Sequence, residues 1–112
     1  MILVIGGHSS GKMDFVKEYL NYNFEKDNVI NDINVLAEEM FESGMDYETA
    51  ANNIYARCRV KIVLTDEIGN GIVPMDASKR DFREWMGRLQ IILAKKSDEV
   101  YRVICGMGQK IK

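Results

Sequence analysis

Hydrophobic positions along this chain follow two rhythms, and each change of rhythm marks an element. Residues 1–5, Met-Ile-Leu-Val-Ile, are an unbroken apolar run, which suits a strand covered on both faces in a parallel sheet. Small and polar residues follow, after which Phe15, Val16, Tyr19 and Leu20 recur at helical spacing and predict a helix over 11–22. The polar stretch 23–28 reads as a connection into a short strand at about 28–31. Ile33, Leu36, Ala37, Met40 and Phe41 make a second helical stripe, which Gly44 can end as a C-cap. Asp46 is placed to cap a third helix in which Tyr47, Ala50, Ala51, Ile54 and Tyr55 repeat the spacing. A second buried strand is expected over 60–65, then a long Gly-rich loop over 66–77 that holds the single proline. Ser78, with Asp81 three residues on, has the form of a helix N-cap. Phe82, Trp85, Met86, Leu89 and Leu93 then face a core. Residues 100–104 read as a strand, and 109–112 return as a hairpin arm after Gly106 and Gly108.

Strands alternating with helices predict an α/β fold with a small, mostly parallel sheet and one antiparallel C-terminal edge strand. In such sheets the ligand crevice lies at the carboxyl ends of the strands. Three segments are therefore expected to converge: the loop after Ile5, the pair Asn31-Asp32, and the loop that opens with Asp66-Glu67. The 112 residues suit one domain spanning 1–112.

The loop after the first strand carries chemistry. Gly6, four residues, then Gly11 and Lys12 reproduce the spacing G-x-x-x-x-G-K of a phosphate-binding loop. Small residues let backbone N–H groups curl around a phosphate, and the next helix aims its positive end at the same anion. Gly6, Gly7, His8, Ser9, Ser10, Gly11, Lys12 and Met13 are thus expected to bind ATP or GTP, with Lys12 on the outer phosphates. The residue after the lysine is normally Ser or Thr, whose hydroxyl serves Mg²⁺. Met13 stands there instead, and the plainer alternative for it is that its side chain packs under the loop. The fold implied is a three-layer P-loop NTPase-like domain.

Charge and cysteine usage narrow the classes. A net charge of -2 gives no basic footprint, so nucleic acid is not an expected partner. No apolar run reaches the length of a membrane span. Residues 1–5 are too short, and lack the charged lead, for a secretory signal. Cys58 and Cys105 have no metal-ligand spacing and read as buried free thiols of a cytoplasmic protein.

The segment Leu64-Thr65-Asp66-Glu67-Ile68-Gly69-Asn70-Gly71-Ile72-Val73-Pro74 closely resembles a signature of adenosylcobinamide kinase/adenosylcobinamide-phosphate guanylyltransferase. That signature runs Thr/Ser-Asn-Glu-Val-Gly-x-Gly-Ile-Val-Pro, so Asp66 replaces Asn and Ile68 replaces Val. The likeness continues through Phe82-Arg83, Gly87-Arg88, Gln90, Leu93-Ala94 and Asp98-Glu99-Val100 to a Gly-x-x-x-Lys-Ile-Lys tail. Gly6-Gly7-x-x-Ser10-Gly11-Lys12 also matches the family's phosphate loop. The resemblance implies a role in cobalamin biosynthesis, with a nucleoside triphosphate and adenosylcobinamide as partners and a homo-oligomeric assembly. The family phosphorylates the aminopropanol hydroxyl of adenosylcobinamide and then transfers GMP through a guanylylated histidine.

Three departures bear on which activity survives. The β-α region that carries the family's histidine has no counterpart between Lys12 and Asn31, and His8, inside the phosphate loop, is the chain's single histidine. Guanylyl transfer by that route is therefore expected to be absent. Met13 removes a hydroxyl from the metal shell. Asn31 stands where the family has an acid, with Asp32 one residue later; Asp32 serves Mg²⁺ if the strand ends before it, or else caps the following helix. Glu67 matches the family loop and is expected to orient metal or substrate, or to bond loop N–H groups. Two readings stay open: a minimal adenosylcobinamide kinase using Lys12 and Glu67, and a catalytically degenerate homologue that acts by binding or assembly.

Overall fold

The apolar run that opens the chain does become the central strand. In the computed structural model, which describes residues 1–7, 9–20, 29–59, 61–67 and 77–112, β1 (Ile2–Gly6) is paired on both sides. The elements that follow are α1 (Lys12–Glu18), β2 (Val29–Ile30), α2 (Asn34–Glu42), α3 (Tyr47–Cys58), β3 (Ile62–Asp66), α4 (Ala77–Lys96), β4 (Glu99–Ile104) and β5 (Met107–Lys110). The sheet order is β2-β3-β1-β4-β5, parallel except for the β4–β5 edge pair. This is the α/β, mostly parallel architecture the alternation predicts.

The two-residue period of a strand divides the core into two halves. Leu3, Val63 and Val100 point to one side, where α2, α3 and α4 bury Ile33, Ala37, Ile54, Met86, Leu89 and Leu93 against them. Val4, Ile62, Leu64 and Val103 point to the other, against Phe15 and Val16 of α1. Three layers result. Each buried Leu or Ile contributes roughly 1.5–3 kcal/mol relative to exposure. Trp85 also donates its indole N–H to the Met45 carbonyl at 3.0 Å, pinning α4 to the α2–α3 turn.

The caps fall largely where the sequence places them. Gly44 takes a left-handed φ of 86° just past α2, and Asp46 accepts the Thr49 N–H at 2.8 Å to open α3. Four expectations need correction. The first helix ends at Glu18 rather than at 22, because the next residue, Tyr19, is 68% exposed and adds little burial to the helix. Tyr22 and the connection over 23–28 lie outside the described residues. Ser78 lies within α4 rather than at its cap, since the helix already includes Ala77. The hairpin arm starts at Met107, not 109, because the turn is only two residues long. Cys105 and Gly106 form that turn with φ of 50° and 76°, the pair of left-handed residues a type I′ hairpin requires. Cys105 at this tip is exposed, whereas Cys58 is buried as expected and burial raises its thiol pKa. Among the described residues no helix is long and apolar enough to cross a membrane.

Candidate functional site

Register sets the site. Gly6, the last residue of β1, lies opposite Asp66 on β3 and Val103 on β4, so three strand ends meet at one level. Gly6 is obligatory there: a Cβ would stand 2.5 Å from the Ser10 hydroxyl and 2.8 Å from the Val103 carbonyl. The chain then turns through a loop closed by the Ser10 N–H donating to the Gly7 carbonyl at 3.1 Å. Ser9 and Gly11 are left-handed, with φ of 61° and 90°, on either side of Ser10. Such alternation points successive N–H groups into a concavity that suits an anion. The hairpin turn buttresses the loop from behind, as the Gly106 N–H donates to the Ser10 carbonyl at 2.7 Å. Gly11 offers no side chain to cap α1, so among the described residues its first N–H groups stand beside the cleft uncapped.

That cleft, of about 320 Å³, is lined by Ser9, Ser10, Gly11, Lys12, Met13 and Asp14 from the loop and α1, with Asn31, Asp32 and Asp66 opposite. The three segments expected to converge thus do so, with one exchange of residue. The Lys12 side chain is only 10% exposed, and its Nζ is held by the Gly6 and Gly7 carbonyls, at 3.0 and 2.9 Å, and by Asp66 Oδ1 at 3.0 Å. The Ser10 hydroxyl is buried with no hydrogen-bond partner among the described residues. Asp66 is itself fixed. Its N–H donates to Asn34 Oδ1 at 3.3 Å, and its carbonyl accepts from Gln90 Nε2 at 2.8 Å. Gln90 Nε2 also donates to the Thr65 hydroxyl, which donates to Asn34 Oδ1. This buried network ties β3 to the start of α2 and the middle of α4.

Glu67 does not join Lys12. Successive residues at a strand end point to opposite faces, so Asp66 turns to α1 and Glu67 to α4. There Glu67 pairs with Arg102 of β4 through two bonds of 2.7 and 3.2 Å, and its N–H extends the ladder by donating to the Gly6 carbonyl at 2.8 Å. It lines a different cleft of about 770 Å³ with Ile5, Gln90, Ile91, Arg102 and Ile111. Glu67 thus stands on the α4 side of the sheet, and the carboxylate on Lys12 is that of Asp66. Alternation in the sequence separates Asp66 from Glu67, and the register, with Val4 and Gly6 opposite Leu64 and Asp66, decides which of them faces Lys12.

Asp32 follows β2 by two residues, so the strand ends before it, as a cleft-lining role requires. One of its oxygens also accepts the N–H of Asn34 at 2.8 Å, so it braces the start of α2 at the same time. Met13 does not pack under the loop: it is 40% exposed and lines the cleft. His8 and the signature residues from Ile68 to Pro74 lie outside the described residues. Among the described residues no three His, Cys, Asp or Glu side chains gather as a protein-only metal site would need.

The family model described as cobinamide kinase / cobinamide phosphate guanyltransferase, CobU, matches residues 25–111. This chain belongs to that family. The bifunctional adenosylcobalamin biosynthesis protein CobU of Salmonella typhimurium is 49% identical over 57 residues, which is 50% of this chain and 32% of the relative. The CobU of Escherichia coli is 47% identical over 57 residues, with the same shares covered. The match thus spans about a third of the length of each curated relative. The family match covers Asn31, Asp32, Asp66 and Glu67 but not Gly6 to Met13, so the loop of this CobU-family chain rests on its own geometry.

Proposed function

We propose that this chain binds a nucleoside triphosphate, ATP or GTP, across the loop formed by Gly6, Gly7, His8, Ser9, Ser10, Gly11, Lys12 and Met13, and phosphorylates adenosylcobinamide. One observation carries the reading: the phosphate-type loop, Lys12 and the carboxylates Asp32 and Asp66 line a single cleft at the strand ends. Phosphoryl transfer asks little covalent chemistry of a protein, only positioning and stabilisation of charge. The loop N–H groups and the orphan Ser10 hydroxyl are donors for phosphate oxygens. Lys12 supplies a positive charge once it leaves Asp66. Mg²⁺ suits the oxygen donors present, since it keeps much of its water and needs only one or two protein carboxylates. Asp32 would supply one of them. Bound there, the ion would neutralise developing phosphate charge. Glu67, across the sheet, holds the ends of β3 and β4 together through Arg102.

Guanylyl transfer is not part of this reading, because His8 is the chain's single histidine and the region carrying the family's histidine has no counterpart here. A second reading is favoured by Met13, whose thioether stands exposed where a metal-binding hydroxyl is usual. In that reading the chain binds nucleotide without transferring phosphate. Incubation with γ-labelled ATP or GTP, Mg²⁺ and adenosylcobinamide, using wild type and Met13→Ser, separates the two. Labelled product from wild type supports the kinase. Product from Met13→Ser alone supports the binding homologue, and product from neither, with both folded, contradicts phosphoryl transfer.

A further inference from the structure

A lysine buried to 10% exposure must satisfy its ammonium, and Lys12 does so by turning back into its own loop. Two of its three partners are backbone carbonyls at the end of β1. The third, Asp66, is the charged one, and its backbone is fixed on both sides: Asn34 of α2 takes its N–H and Gln90 of α4 donates to its carbonyl. Gln90 and Thr65 are themselves buried, so this anchoring is rigid. The carboxylate is thereby held at the wall of the cleft where phosphates would lie, 30% exposed, with one oxygen on Nζ. A phosphate that takes Lys12 must part this ion pair and set its own negative charge beside a carboxylate.

Resting on the nucleotide-binding reading above, we infer that Asp66 is a positioning residue that sets the loop's affinity: it holds Lys12 as a counter-ion that an incoming triphosphate must displace. Neutralising it frees Lys12 and removes the repulsion together. The prediction runs against ordinary intuition, since breaking an ion pair inside the site improves binding.

The test is equilibrium titration of ATP, and separately GTP, in metal-free buffer containing EDTA, which keeps any metal role of Asp66 out of the measurement. Asp66→Asn keeps both backbone bonds, and Asp66→Ala serves as a second variant. Both are expected to bind roughly threefold to fivefold tighter than wild type, the upper part of the range measured for single ion pairs. In a Lys12→Ala background the gain from Asp66→Asn should shrink to less than about twofold, because the coupled partner is gone. Unchanged or weaker binding by Asp66→Asn, with wild type binding, overturns the inference and leaves the nucleotide reading standing. An equal gain with and without Lys12 overturns the counter-ion role, since repulsion alone would then suffice. No binding by wild type or by either Asp66 variant, all folded, overturns the inference and the nucleotide reading together.

Discussion

Two adjacent acids, Asp66 and Glu67, show how much a single residue step decides. The resemblance to the family's loop draws attention to Glu67, but the pleat sends it to α4 and gives Lys12 its neighbour instead. Glu67→Gln should therefore lower stability by about 1 kcal/mol in urea unfolding, a small value because Arg102 is 39% exposed. Nucleotide affinity should stay within about twofold, whereas a residue touching phosphate or metal would change it far more. Surface carboxylates held by a helix cap or an ion pair contribute to the acid response. The Thr49 N–H holds the Asp46 carboxyl below its ordinary value of 3.8, and Lys110 holds Glu99 below its ordinary 4.5. Both groups bind fewer protons folded than unfolded near those values, so their stabilisation is full above them and fades as pH falls through the lower folded values. Wild type should thus be more stable than Asp46→Ala at neutral pH, and the two unfolding midpoints should converge below about pH 3.8. A constant gap across that range would contradict the assignment.

Elements were legible in the sequence in proportion to what buries them. α2, α3 and α4 show apolar stripes that pack against one face of the sheet, and the stripe of Trp85, Met86, Leu89 and Leu93 is buried as its spacing predicts. α1 is shorter than its spacing predicts: Tyr19 stands 68% exposed, and Leu20 packs against the Phe15–Val16 cluster from beyond the helix end. No periodicity announces Gln90 as a polar pin, since a buried amide on a helix stripe looks like any interruption of it. Gln90→Leu should cost about 1–3 kcal/mol in chemical denaturation, because the Asp66 carbonyl and the Thr65 hydroxyl lose their donor. A neutral result would mean that Asn34 alone holds this end of β3. Gly11→Ala should cost about 1–2 kcal/mol from its left-handed φ of 90°. The added Cβ would also meet Gly106 at 2.9 Å, so nucleotide affinity should fall along with stability.

At the scale of the molecule, the strand order places β3 between β2 and β1 and so collects the segments that follow these three strands at one end of the sheet. That convergence follows from alternation of strands and helices alone, which is why the sequence foretells it. The division of the polar residues into two clefts on opposite faces depends on register, Gly6 against Asp66 and Val103, which no single segment encodes. The account therefore commits the nucleotide to one face. Backbone amide shifts followed while ATP or GTP is titrated into the labelled chain test this directly. Binding in the loop predicts the largest shifts at Ser9 to Asp14, with Asn31, Asp32 and Asp66 moving with them. Largest shifts around Gly87, Ile91 and Arg102 on the opposite face, or none at saturating nucleotide, would contradict it.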